Sequence, residues 1–65
     1  MVFDYLTAAK RVGIEPGNLE RLAVLIRAEF PSDEMMFEIH VLRAILAVER
    51  GDTTLEEILR LPVAA

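Results

Sequence analysis

Between Met35 and Val48 the chain runs for 14 residues with only three polar side chains, Glu38, His40 and Arg43. A helix at the surface of a small protein normally turns one apolar stripe to the core, and one that is apolar nearly all round is buried on most sides. At about 100° per residue, Met35, Ile39, Leu42 and Leu46 form one stripe, while Phe37, Val41, Ala44 and Val48 form a second on a different side. Glu38 and Glu49 lie on one border between the stripes, and Met36, His40, Arg43, Ala47 and Arg50 run down the other. Two apolar faces call for two partners.

A chain of 65 residues makes a single domain, residues 1–65, near the lower end of what folds alone. Hydrophobic residues are 54% of it, which excludes an intrinsically disordered chain. There is no cysteine, so neither a disulfide framework nor a thiolate metal site can supplement the core. Ordering entropy of roughly 1.5 kcal/mol per residue nearly cancels apolar burial in domains this small. Burial through self-association would tip the balance.

The formal net charge is -4, so the long-range field repels the phosphate backbones on which non-specific nucleic-acid affinity rests. The first apolar residues are not preceded by a basic segment, Lys10 and Arg11 come after them, and no small-residue cleavage site follows a hydrophobic run. The Met35–Val48 stretch is shorter than the ~20 apolar residues of a bilayer span and carries three ionisable groups. The expectation is a soluble, cytoplasmic chain that does not enter a membrane.

No stretch alternates with the period of two that a half-buried strand requires, and the pattern predicts an all-α fold of three main helices and a short fourth. The first helix is expected over residues 2–12, with Val2, Tyr5, Leu6, Ala9 and Val12 on one face and Gly13 as the left-handed residue after its end. Asn18 is the expected N-cap of the second helix, with Pro16 at its first position as a competing start, and Pro31 stops it around Phe30. Leu19, Leu22, Ile26 and Phe30 make its apolar face. Ser32 is the expected cap of the third helix, with Asp33 and Glu34 in its first turn and Arg50 and Gly51 at its end. Thr53 with Glu56 reads as a capping box for a fourth helix over residues 54–61, closed by Pro62. Its face of Leu55, Ile58 and Leu59 must dock, because two turns are unstable alone. The tail Val63-Ala64-Ala65 gives no signal.

The inventory for catalysis is thin. Ser32 is the only serine and His40 the only histidine. Ser32 has a capping role to fill and no neighbouring base to activate it. Three and four residues from His40 stand Met36, Phe37, Arg43 and Ala44, so no local carboxylate or second histidine completes a metal pair. His40 reads as a border residue of the third helix, or as a pH-sensitive contact at an interface. The pairs Asp33-Glu34 and Glu56-Glu57 both fall in the first turn of a helix, where the dipole favours negative charge. Glu38 and Glu49 read as solvated flanks of a packing face, or as register-setting partners of Arg43 or Arg50 in a neighbouring copy. No catalytic, cofactor-binding or metal-binding residue is assigned, and the chain is not expected to be an enzyme.

Residues 8–22, Ala8-Ala9-Lys10-Arg11-Val12-Gly13-Ile14-Glu15-Pro16-Gly17-Asn18-Leu19-Glu20-Arg21-Leu22, resemble the helix-turn-helix of bacterial DNA-binding proteins. The small residue Ala9 stands four before the turn glycine Gly13, and the aliphatic Leu19 six after it. Val12, Ile14 and Leu22 fall where that motif packs its two helices. The resemblance implies a DNA-binding regulator with Asn18 and Arg21 as its contacts, since such a helix presents its N-terminal residues to base edges and phosphates. Glu15 and Glu20 in the same turns oppose that use electrostatically.

The leading expectation is a small acidic protein–protein interaction module of regulatory or adaptor type, with a second copy of itself as first partner and another protein as a further candidate. Phe37, Val41, Ala44 and Val48 are the expected interface, and the other stripe of the third helix is expected to face the chain's own core.

Overall fold

Local chemistry sets the ends of each helix. Residues 1–60 are described by the computed structural model, in the order α1 (Tyr5–Val12), α2 (Pro16–Glu29), α3 (Glu34–Arg50) and α4 (Leu55–Leu59). The fold is all-α, with no strand among the described residues. Asp4 caps α1 by accepting the Thr7 backbone N–H, which holds residues 2–4 outside the helix expected to include them. Gly13 takes φ 86°, and the N–H groups of Gly13 and Ile14 close on the Ala9 carbonyl at 3.0 and 2.9 Å. Gly51 ends α3 in the same left-handed way.

Three expected caps are displaced. Pro16, not a residue after Asn18, opens α2, since proline forfeits an amide that has no intrahelical partner there anyway. Asp33 rather than Ser32 caps α3, its carboxylate accepting the Met36 N–H at 3.2 Å; a charged acceptor at a helix N-terminus is favoured by the dipole. Thr54 rather than Thr53 caps α4, its hydroxyl accepting the Glu57 N–H, so the expected Thr53–Glu56 box is not the cap; the Thr53 hydroxyl instead reaches the Glu57 carboxylate at 3.3 Å. The expected extension of the fourth helix to Leu61, the stop at Pro62 and the tail Val63-Ala64-Ala65 lie outside the described residues.

The longest helix organises the rest, because α1, α2 and α4 all pack against α3. Tyr5 at the start of α1 meets Phe37 near the start of α3, and Arg11 at its end meets Glu49 near the end, so the two helices run in the same direction. In α2 it is the last turns that reach the first turns of α3, through Arg27 with Glu34 and Phe30 with His40. This pair is antiparallel. The core is Ala8 and Ala9 of α1, Leu22 of α2 and Phe37, Val41 and Ile45 of α3, with Ile58 and Leu59 of α4 against its edge.

The assignment of the two stripes on α3 is therefore reversed. Phe37 and Val41, expected to meet a second copy, are buried in the chain's own core; Ala44 packs against that core and Val48 is half-buried. The reason is visible around Phe37. The Tyr5 ring meets it edge-on at 6.0 Å between centroids, and the Arg27 guanidinium lies 3.6 Å from its ring centre. Both sides of the aromatic anchor are taken within the chain.

Candidate interaction face

With Phe37, Val41 and Ala44 turned inward, the remaining face of α3 is built on Met35, Met36, Ile39 and Leu46. Met35 and Met36 are 57% and 39% exposed, and Ile39 and Leu46 are half-buried. Leu42, the other member of that stripe, packs against the core. The turns of α3 thus pass gradually from interior to solvent across one apolar edge. Isolated apolar residues on a surface are ordinary, whereas several along one helix form a face that can dock.

The two borders of this edge differ. On one, Glu38 is 6% exposed, and its Oε1 accepts the backbone N–H groups of Val2 and Phe3 at 2.8 and 3.0 Å. Farther along the same border, Glu49 accepts two hydrogen bonds from Arg11 at 2.9 and 3.0 Å. Neither glutamate is a bare solvated flank. Glu38 is a long-range acceptor that ties down the N-terminal segment, and Glu49 ties down the end of α1. Hydrogen bonding from Arg11 holds the Glu49 carboxyl below its ordinary range and raises the guanidinium in turn. Arg27 does the same to Glu34.

The opposite border is open. Met36 and Arg43 are exposed, Arg50 pairs with the nearby Asp52 at 3.0 Å, and Arg43 makes no ion pair among the described residues. His40 lies beyond it, half-buried, its ring tilted on Phe30 at 4.5 Å and its Nδ1 2.8 Å from the Met36 carbonyl oxygen. That nitrogen carries the proton when it donates to the carbonyl.

The residues of the helix-turn-helix resemblance meet in the fold as a helix pair. Ala9 and Leu22 are buried, Leu19 packs against them, and Gly13 makes the turn. Asn18 and Arg21 line an open groove of about 360 Å³ shared with Leu55, Glu56, Leu59 and Arg60. Glu56 on its rim is highly exposed and pairs with Arg60 at 3.8 Å. So α4 stands beside the turns of α2 that a DNA major groove would have to receive.

Among the described residues no group of three or more histidine or acidic side chains converges as a metal site. No helix there is long and apolar enough to cross a membrane. Compared with known proteins, the chain matches no family model, no curated protein and no solved structure. The roles of Glu38 and Asp4 are not among the expectations read from the sequence. For Asp4 the signal was Thr7 three residues on, a spacing that suits a cap; for Glu38 a tertiary contact decides, and nothing local announces it.

Proposed function

We propose that the chain is a small interaction module, of the regulatory or adaptor kind and working in the cytoplasm, that associates with a second copy of itself through the outer edge of α3. The observation that carries this reading is the apolar edge of Met35, Met36, Ile39 and Leu46, left by a fold that has already filled its core from the other side of the helix. Methionine suits such a face, since an unbranched, polarisable side chain adapts to what it meets. A monomer of this size gains little from leaving that edge in water, and pairing two copies buries it. The regulatory or adaptor role rests on size and composition.

The DNA-binding alternative draws less support, because Asn18 and Arg21 share their groove with Glu56 and with the residues of α4. No catalytic role is proposed, since the ring of His40 is occupied by Phe30 and the Met36 carbonyl.

Sedimentation equilibrium or light scattering from low to high micromolar concentration tests the proposal. The expected result is a concentration-dependent doubling of mass. Met35→Glu combined with Met36→Glu, both at exposed positions, should leave the helical signal intact and weaken association by about tenfold or more, the equivalent of ~1.4 kcal/mol. A chain that stays monomeric throughout overturns the reading.

A further inference from the structure

We infer that the Met1–Val2 bond is a processing site and that Glu38 is the counter-ion for the α-ammonium that its cleavage frees at Val2. The inference is independent of self-association. It starts from a charge that the fold leaves unmatched. Glu38 is 6% exposed, yet it takes part in no ion pair among the described residues. Burying a carboxylate is costly unless a cation compensates it. Its Oε1 instead accepts two uncharged backbone N–H groups, from Val2 at 2.8 Å and from Phe3 at 3.0 Å.

Arg27 of α2 feels the Glu38 charge, but both arms of its guanidinium are bound to Glu34, at 2.8 and 3.2 Å. The other titratable groups on this side are Tyr5 of α1, which also acts on Arg27, and Asp4, whose carboxylate is held by Thr7. Neither is cationic. The missing positive charge is latent in the Val2 nitrogen itself.

Hydrolysis by a peptidase breaks the C–N bond, adding the hydroxyl of water to the Met1 carbonyl carbon and the remaining hydrogen to the Val2 nitrogen. At neutral pH the freed amine takes up a proton and the new Met1 carboxyl loses one. A neutral donor thus becomes a cationic one without the atom having to move, and charge-assisted hydrogen bonds are roughly twice as strong as neutral ones. Met1 and Val2 are 63% and 70% exposed and precede the first helix, so the bond is open to a peptidase. Phe3 is half-buried and its carbonyl accepts the Tyr5 N–H at 2.9 Å, which anchors the segment one residue beyond the cut. Cleavage after Val2 instead would cost Glu38 one of its two donors. Whether Met1 leaves alone or with further chain before it, the new terminus is the same.

Three forms of the chain are compared by urea unfolding at about pH 6, below the ordinary α-amino range. One retains Met1, one begins at Val2 with a free amine, and one begins at Val2 with that amine acetylated, which restores a neutral N–H. The free-amine form should have a folding constant about tenfold or more above the other two, the equivalent of ~1.4 kcal/mol. Glu38→Gln in all three forms should erase the difference. Pairing raises the folded pKa of the Val2 amine, so the gain is complete below the ordinary α-amino range and is lost as pH rises through the raised folded value. NMR titration of the Val2 α carbon should place that amine above its ordinary range. Equal stability of the three forms, a gain that survives Glu38→Gln, or a Val2 amine titrating at or below its ordinary range overturns the pairing. The acetylated form and the titration both read the Glu38 chain, so they decide even where the glutamine variant fails to fold. Intact mass of the protein as its own cells make it reads the cut, with Val2 expected as first residue; a chain still carrying Met1 overturns the processing site.

Discussion

Ile45 and Leu46 are adjacent on α3, yet one is fully buried and the other half-exposed at the apolar edge. The same contrast runs along the whole helix. Val41 and Ile45 are sealed beneath α1 and α2, while Met35 and Met36 stand in solvent on a stripe of comparable apolarity. Spacing creates the two stripes but does not rank them. What ranks them is the polar company each keeps. The inner stripe is bordered by groups whose partners come from other elements: Glu38 with the N–H groups of Val2 and Phe3, and Arg27 over Phe37 with Glu34. The outer edge shares that Glu38 border, but its other side is bordered by Arg43, which has no such partner among the described residues.

The sharpest break of this comparison comes from truncating the adjacent pair. Ile45→Ala should destabilise the fold by about 2–5 kcal/mol, since it leaves a cavity at a site with no exposure. Leu46→Ala, measured on the same urea transition, should cost less than half as much. Equal losses would show that the boundary between interior and edge runs somewhere other than between these two residues.

How much of this was legible beforehand differs by level. The all-α class, three main helices and a fourth short one follow from periodicity and punctuation, and the glycines at 13 and 51 mark the ends of α1 and α3 through the left-handed conformation that they alone adopt among the described residues. Caps were legible only in part, because Ser32 and Asp33 both qualify by type and only the backbone geometry chooses Asp33. The orientation of α3 was not legible at all. It depends on Tyr5, Arg11 and Arg27 arriving from other helices, and no pattern within residues 35–48 contains that information. The interface residues expected at 37, 41, 44 and 48 were chosen from two equivalent stripes, and long-range contacts draw the first three into the chain's own core.

Glu38 offers the next largest effect. Replacing it with alanine removes the acceptor of two part-buried hydrogen bonds from backbone N–H groups, and the fold should lose about 1–3 kcal/mol. Glu38→Gln keeps an acceptor oxygen and should lose less. Amide hydrogen exchange at Val2 and Phe3 is the direct readout, with protection falling in the alanine variant. Unchanged protection there would mean that the N-terminal segment is held by something other than this carboxylate, and the covered flank of α3 would lose its explanation.

On the outer edge, Met35→Ala should change folding stability by no more than about 0.5 kcal/mol, as expected for an exposed site. Its effect belongs to association instead. A Met35→Ala chain destabilised as much as Ile45→Ala would place Met35 in the core and remove the contrast between the stripes.

The smallest effect concerns the far end of the covered flank and is read in its pH dependence. The Glu49 carboxyl is held below its ordinary value chiefly by the hydrogen bonds from Arg11, so the folded chain binds this proton less readily than the unfolded one. The contribution is complete above the ordinary glutamate range and is lost as pH falls through the depressed folded value. Both side chains are well exposed, at 54% and 40%, and solvent screening keeps the pair weak. Arg11→Ala should therefore leave stability at neutral pH nearly unchanged and flatten the acid limb of the urea midpoint against pH. The Arg27–Glu34 pair and the Asp4 cap, whose carboxyls are also depressed, keep the rest of that limb in place. An Arg11→Ala chain with the same acid limb as the parent would show that Glu49 titrates without the guanidinium, and that α1 is held on α3 by Ala8, Ala9 and Tyr5 alone.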